Sequence, residues 1–282
     1  MSLLKSLLKL GLAVIGFIFI FGYSTILGWA AVALLLLYMV YKSKGSLIYI
    51  SASKKAAAKD YEGAMRVLRY GYEKGWLAPV HQTAYGFLLL KRFGEAEKAE
   101  KVTRQVIGTP KLTEAEKNSA KLNMALIHYS MGEKEKALEE VIELYEEYKT
   151  TNLYATYGYF LIDSGDLEKA LELNLEAYDY NKDDNVILDN LGQIYILTGE
   201  YEKAQEIYNI LIPKRPSFPE AYYNYGVLKE KQGDMDEAIF QMKTALQKEY
   251  NYLTTIDGEM IKRHIEKLYE KKDTEKEAEA HG

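Results

Sequence analysis

Leu188 to Pro216 reads LDNLGQIYILTGEYEKAQEIYNILIPKRP, and its spacing decides the fold. A small residue, Gly192, stands seven positions before Gly199, and a second small residue, Ala204, stands five positions after it. Small side chains at Gly192 and Ala204 let two antiparallel helices approach to about 8–10 Å, while Tyr195, Tyr201 and Tyr208 fill the space beside them. Gly199 is free to take positive φ and makes the turn. Pro219 falls where a further helix begins, a place at which its missing N–H costs nothing.

The same pattern recurs along the chain. Met131-Gly-Glu-Lys-Glu-Lys-Ala137, Ser164-Gly-Asp-Leu-Glu-Lys-Ala170, Thr198-Gly-Glu-Tyr-Glu-Lys-Ala204 and Gln232-Gly-Asp-Met-Asp-Glu-Ala238 align, with their glycines 33, 34 and 34 residues apart. Seven residues before each glycine comes a small residue (Ala125, Gly158, Gly192, Gly226), preceded by a large one (Met124, Tyr157, Leu191, Tyr225). This resembles the tetratricopeptide repeat, whose 34-residue unit carries large, small, small and aromatic residues at these places. The pattern departs at His128, Leu161 and Lys229, where the family usually has an aromatic residue, and at Asn174, where it usually has a large apolar one. The resemblance implies an all-α fold, a right-handed superhelical stack of antiparallel helix pairs.

Two weaker units precede these four. Asp60-Tyr-Glu-Gly-Ala64 with Leu68 reads as the second helix of a repeat closing at Trp76 and Pro79. Ala84 to Ile107 reads as another, with its phase open between Ala96 and Ala99, and Gly108 to Lys117 inserts residues beyond the period. The expected organisation is an array of about six repeats over 53–252 and a capping helix within 253–271, apolar through Ile261, Ile265 and Leu268. The mixed-charge tail, 272–282, is expected to be disordered.

Ahead of the array, Leu10 to Tyr41 is a run of 32 uncharged residues. A run of roughly 18 already marks a candidate membrane span, so residues 1–45 are expected to form a membrane anchor. As one helix the run would reach about 48 Å, against a hydrocarbon core of about 30 Å. Gly22, Tyr23, Ser24 and Thr25 form a turn-like cluster that would divide it into two short spans, 7–21 and 26–41, with one tilted transmembrane helix as the alternative. From Met1 to Lys59 the chain has seven lysines and no acidic residue, which leaves −12 for the remainder of a chain of net charge −5. The positive-inside rule then places the array in the cytoplasm, at the inner or plasma membrane.

An acidic body argues against nucleic acid as its partner. Cysteine is absent, which excludes disulfides and Cys-ligated metals. No phosphate-binding glycine loop, His-Glu-x-x-His pair or calcium loop occurs, and His81, His128, His264 and His281 are scattered; neither a metal, a cofactor nor catalysis is expected. The expected function is a scaffold or adaptor that binds a peptide or partner protein on the concave face. The alternatives are a self-assembling structural homo-oligomer and an enzyme with an unrecognised site. The family's inner face is built from the first helix of each repeat, which implies a row of Asn123, Asn190 and Asn224 with Tyr159, Gln193 and Tyr223 beside it. In the sharper reading these asparagines clamp a ligand backbone, since an amide both donates and accepts. In the plainer one they bond within the stack. Ser119, Leu122, Asn152 and Val186 stand where chaperone-binding members hold a carboxylate with lysine, which disfavours that mode.

Overall fold

The computed structural model describes residues 14–16, 18, 19, 21–110 and 112–281, and the regular structure among them is helical. Lys5, Lys9 and most of the proposed span 7–21 lie outside the described residues. The chain divides into two compact units, residues 1–81 and 82–282.

In the first unit the described residues between Val14 and Tyr23 are helical. Ser24 interrupts them with extended backbone (φ −159°, ψ 125°), and its hydroxyl accepts from the Leu27 N–H at 3.5 Å to start α1, Thr25–Ala57. The interruption lays the Phe21 ring on Gly28, where a Cβ would overlap it, and sets Phe21 edge-on to Trp29 at 5.8 Å. Sequence spacing ends the second span at Tyr41 and begins the array at Ser53. Instead α1 runs through both points, because no proline interrupts residues 42–57 and Gly45 and the serines there stay within the helix. Its end packs on α2, Tyr61–Glu73, with Ala52 and Ala64 buried and Lys59 making the turn at φ 61°. Ala52, Lys59 and Ala64 thus repeat the spacing of Gly192, Gly199 and Ala204. The first hairpin therefore begins upstream of Ser53, on a helix that also carries the apolar run, and that fusion hid it.

The second unit takes up α3 (Pro79–Phe93), which starts in the first, and continues with α4 (Ala96–Ile107), α5 (Glu114–Ser130) and α6 (Lys134–Glu147). Next come α7 (Thr151–Ser164), α8 (Leu167–Tyr180), α9 (Asn185–Leu197), α10 (Tyr201–Leu211), α11 (Pro219–Lys231), α12 (Met235–Leu246) and α13 (Gly258–His281). From α5 to α12 they pair as antiparallel hairpins, turning at Gly132, Gly165, Gly199 and Gly233, which hold φ of 86°, 84°, 78° and 84°. An L side chain is strained there, which is why glycine recurs. The residue after each turn glycine is acidic, and where it is Asp166 or Asp234 its carboxylate caps the next helix, while Glu133 and Glu200 make no side-chain cap. The inserted segment before α5 ends in a reciprocal capping box: Glu116 N–H donates to Thr113 Oγ1, and Thr113 N–H donates to Glu116 Oε2.

Helix contacts centre on the small residues. A Cβ on Gly192 would lie 2.6 Å from the Tyr208 ring, one on Gly158 would overlap the Asn174 amide, and one on Gly226 would lie 2.8 Å from Met242 and 3.0 Å from the Ala238 carbonyl. Asn174 replaces a large apolar residue, and the lost volume is matched by Gly158 against it. The phase of the earlier hairpin is settled the same way: Ala99 is fully buried, and its carbonyl faces Gly86, so Ala99 rather than Ala96 is the repeat alanine. Eight residues, not seven, separate Gly86 from Gly94, and the Glu95 N–H reaches back six residues to the Leu89 carbonyl. That added residue blurred the sequence signal. Core side chains run from Leu122 to Leu268 in two clusters, with Leu171 and Tyr178 packed against both. The fully buried Leu188 and Ile194 each contribute about 1.5–3 kcal/mol by leaving water.

Ile261, Ile265 and Leu268 of α13 are buried against the last hairpin. The expected disordered tail, 272–282, is instead helical as far as His281. No glycine or proline stops α13 before Gly282, and its residues are mostly good helix formers. Lys272 also pairs with Asp236 of α12. Gly226→Ala is expected to destabilise the protein by about 1–3 kcal/mol in urea unfolding, because Ala238 offers backbone that cannot yield. A loss within about half a kcal/mol, as at ordinary surface sites, would refute the close approach.

Candidate functional site

Four first helices of the hairpins, α5, α7, α9 and α11, carry the residues singled out in the sequence. Asn123 Nδ2 donates to the Thr83 carbonyl at 3.2 Å, Asn190 Nδ2 to the Ala155 carbonyl at 3.0 Å, and Asn224 Nδ2 to both Asp189 oxygens at 3.3 Å. Each amide therefore reaches the first helix of the preceding hairpin, at the residue three before its small one: Thr83 before Gly86, Ala155 before Gly158, Asp189 before Gly192. Asn190 and Asn224 are buried. The structure thus has these asparagines bonding between repeats.

The residues beside them stay half-buried. Tyr129 Oη donates to Tyr159 Oη at 3.4 Å, and the two rings meet edge to face at 5.9 Å. Tyr223 Oη bonds His264 Nδ1 of α13 at 3.1 Å, and His264 Nε2 lies 2.8 Å from Glu230. Gln193, between them in the series, has no side-chain hydrogen bond among the described residues. Val186 and Leu197, at the two ends of α9, are exposed.

Two features escaped the sequence reading. Asp189 is buried and receives the Tyr208 hydroxyl at 3.0 Å as well as the Asn224 amide. Burial pushes its carboxyl up to about 7, with the Glu220 charge adding to the shift, and the bonds from Asn224 and Tyr208 only partly oppose it. Asp189 directly precedes Asn190, which was the available signal. The second feature is the loop between α12 and α13, which reaches back to the end of α3. Glu249 pairs with Arg92 at 2.5 Å, Tyr252 N–H donates to the Lys91 carbonyl at 3.0 Å, and a Cβ on Gly94 would strike the Tyr252 ring. Thr255 N–H donates to Glu220 of α11 at 2.8 Å. Burial lowers the Lys91 pKa and raises that of Glu220, each held back by the other's charge. No residue in this loop has a sequence signature, since its contacts with α3 lie more than a hundred positions away. Among the described residues no group of three His, Asp or Glu side chains is placed to hold a metal ion.

The pH sign at Asp189 follows from linkage. Its folded pKa lies above the ordinary 3.8, so the folded state holds the proton more tightly. Stability is expected to fall as pH rises from about 4 to 7, by up to about 1.4 kcal/mol per pH unit, and to level off above. Asp189→Asn, which mimics the protonated form, should remove that slope and be the more stable protein at pH 8. Parallel stability curves for the two proteins would show that Asp189 does not titrate in this window.

Models of the tetratricopeptide repeat match residues 187–220 and 219–247. Among curated proteins, similarity extends to BBSome complex member BBS4 of Bos taurus (29% identity over 90 residues, 32% of this chain and 17% of that protein). A TPR repeat-containing protein of Methanocaldococcus jannaschii is 31% identical over 93 residues, 33% of this chain and 16% of its own. Photosystem I assembly protein Ycf3 of Prochlorococcus marinus is 29% identical over 99 residues, 34% of this chain and 57% of its own. The chain thus spans under a fifth of the first two relatives and little more than half of the third. Among solved structures, a thermophilic TPR protein of Thermus thermophilus superposes with a TM-score of 0.53 at 18% identity, covering 68% of this chain and 99% of that one. The Cut9–Hcn1 hetero-tetramer of the APC/C gives 0.58 at 17%, covering 84% and 42%. With the hairpin geometry above, these matches identify tetratricopeptide repeats over residues 187–247 of this chain.

Proposed function

We propose that this protein is a scaffold anchored in the cell membrane, with its repeat array in the cytoplasm, where the first helices of the hairpins hold a peptide or partner protein. One observation carries the reading: a stack of hairpins, a fold suited to protein–protein interaction, follows a helix whose apolar part is exposed. Thr25–Ala57 has an 18-residue window of mean hydropathy 1.7 that is only 6% buried, so a lipid environment accounts for it better than the protein's own core does. The lysines that follow, with no acidic residue before Asp60, favour the cytoplasm for the array.

Within the candidate surface the roles divide. Asn123, Asn190 and Asn224 set the spacing of successive hairpins through their bonds to Thr83, Ala155 and Asp189. Tyr159, Gln193 and Tyr223, half-buried on the first helices α7, α9 and α11, contact the partner, and the exposed Leu197 and Val186 add apolar area. The Prochlorococcus relative is named for assembling a protein complex, and holding proteins for assembly is work of the same kind.

The full-length protein should stay with membranes in carbonate, and a photo-crosslinking residue at Gln193 or Tyr159 should trap a discrete partner there. The same residue at Glu172, exposed on α8, should not. Release of the protein by carbonate would overturn the anchor. Equal adducts from Glu172 and Gln193 would overturn the assignment of the surface.

A further inference from the structure

We infer that the first hairpin carries a phospholipid-binding face, built from Tyr41, Lys44, Tyr70, Lys74 and Trp76, that lies on the headgroups of the leaflet from which α1 emerges. The inference rests on the membrane-anchor reading above and adds a surface to it.

The uncharged run ends at Tyr41, and Lys42 and Lys44 follow on the same helix. At about 1.5 Å per residue, Lys44 is about 4.5 Å further along the axis. The turn after α2 is held at that level by backbone contact. Gly45 is buried, and a Cβ there would collide with the Trp76 carbonyl, so only glycine lets the turn approach so closely. Gly75, at φ 65°, aims the chain into that contact. As a result the Trp76 ring stands over Lys44 rather than out in solvent. Lys44 Nζ is 4.4 Å from the Trp76 centroid and 3.9 Å from that of Tyr41. Trp76 in turn meets Tyr70 edge to face at 5.5 Å, and Lys74 lies 6.0 Å from the Tyr70 ring.

Hydrocarbon core and headgroup layers together span about 40–45 Å against about 30 Å for the core, leaving roughly 5–8 Å of interface on each side. The end of the apolar run and the Lys44–Trp76 level fall within one such layer. Indole and phenol rings, apolar with one polar tip, favour that layer, and lysine ammonium groups add attraction to anionic phosphates. Tyr70 is half exposed and Tyr41 more so, so the rings are available to lipid as well as to each other. The chemistry and the level therefore agree on one occupant, the headgroup region of an anionic leaflet. A hairpin held there would fix the height of the array's first turn above the membrane.

The chain has two tryptophans, Trp29 in the apolar part of α1 and Trp76 in the turn, which makes the test internal. Full-length Trp29→Phe and Trp76→Phe proteins would be reconstituted in phosphatidylcholine vesicles containing phosphatidylglycerol, with nitroxide lipids labelled at the headgroup or deep in the acyl chain. The expected result is that Trp76 loses most of its emission to the headgroup label and little to the deep one, whereas Trp29 responds more to the deep label. Lys44→Glu combined with Lys74→Glu should reduce the headgroup quenching of Trp76 several-fold. Quenching of Trp29 with none of Trp76 would overturn the lipid face and leave the anchor standing. Absence of quenching at both would overturn the anchor and the face together.

Discussion

Everything in the repeat array depends on how closely two antiparallel helices can approach at one small residue. At Gly192 the partner is the Tyr208 ring, at Gly158 the Asn174 amide, at Gly226 the Met242 side chain and Ala238 backbone. Interiors pack near crystalline density, so the missing side chain on one helix must be matched by a side chain from the other. That match fixes the register of each hairpin. The register in turn carries the neighbouring position, two residues earlier, to where an asparagine can reach the preceding hairpin. Asn190 to Ala155 and Asn224 to Asp189 are consequences of the same geometry.

The four strong repeats were legible because each contains its own turn glycine and both of its small residues. What sequence could not supply were features that break the period or depend on distant contacts. The first hairpin was hidden because its leading helix is the end of α1, with Lys59 at the turn instead of glycine. The second was blurred by one added residue between Gly86 and Gly94. The tail was read as disordered from its charge, whereas α13 meets no helix-breaking residue before His281. Of the candidate surface, the positions of Asn123, Asn190 and Asn224 could be read but not their partners. Whether an amide bonds a ligand or the preceding repeat is decided by groups that only folding brings near, the Thr83 and Ala155 carbonyls and the Asp189 carboxylate. Asp189 and the Glu249–Thr255 loop are of the same kind.

These contacts also bear on where a partner can sit. The loop between α12 and α13 ties Arg92 and Lys91 of α3 to the neighbourhood of Glu220, so the first helices of distant hairpins are joined by the protein itself. On the proposed reading, a partner meets Tyr159 and Tyr223 already held by internal bonds, which lowers the ordering cost of binding. On that reading, the side chains with area to offer are the half-buried Tyr159, Gln193 and Tyr223 rather than the buried Asn190 and Asn224.

The central claim is that helix approach at the small residue sets the fold, and a double-mutant cycle between Gly192 and Tyr208 tests it most directly. Gly192→Ala should destabilise the parent protein but cost little, or even stabilise through better helix propensity, in a Tyr208→Leu background. The cycle cancels the loss of the Tyr208 bond to Asp189, since that loss is common to both proteins carrying Tyr208→Leu. A coupling energy of about 1 kcal/mol or more is the predicted result. The same cost for Gly192→Ala in both backgrounds would mean that the two residues do not meet, and would contradict the packing on which the rest of the structure is built.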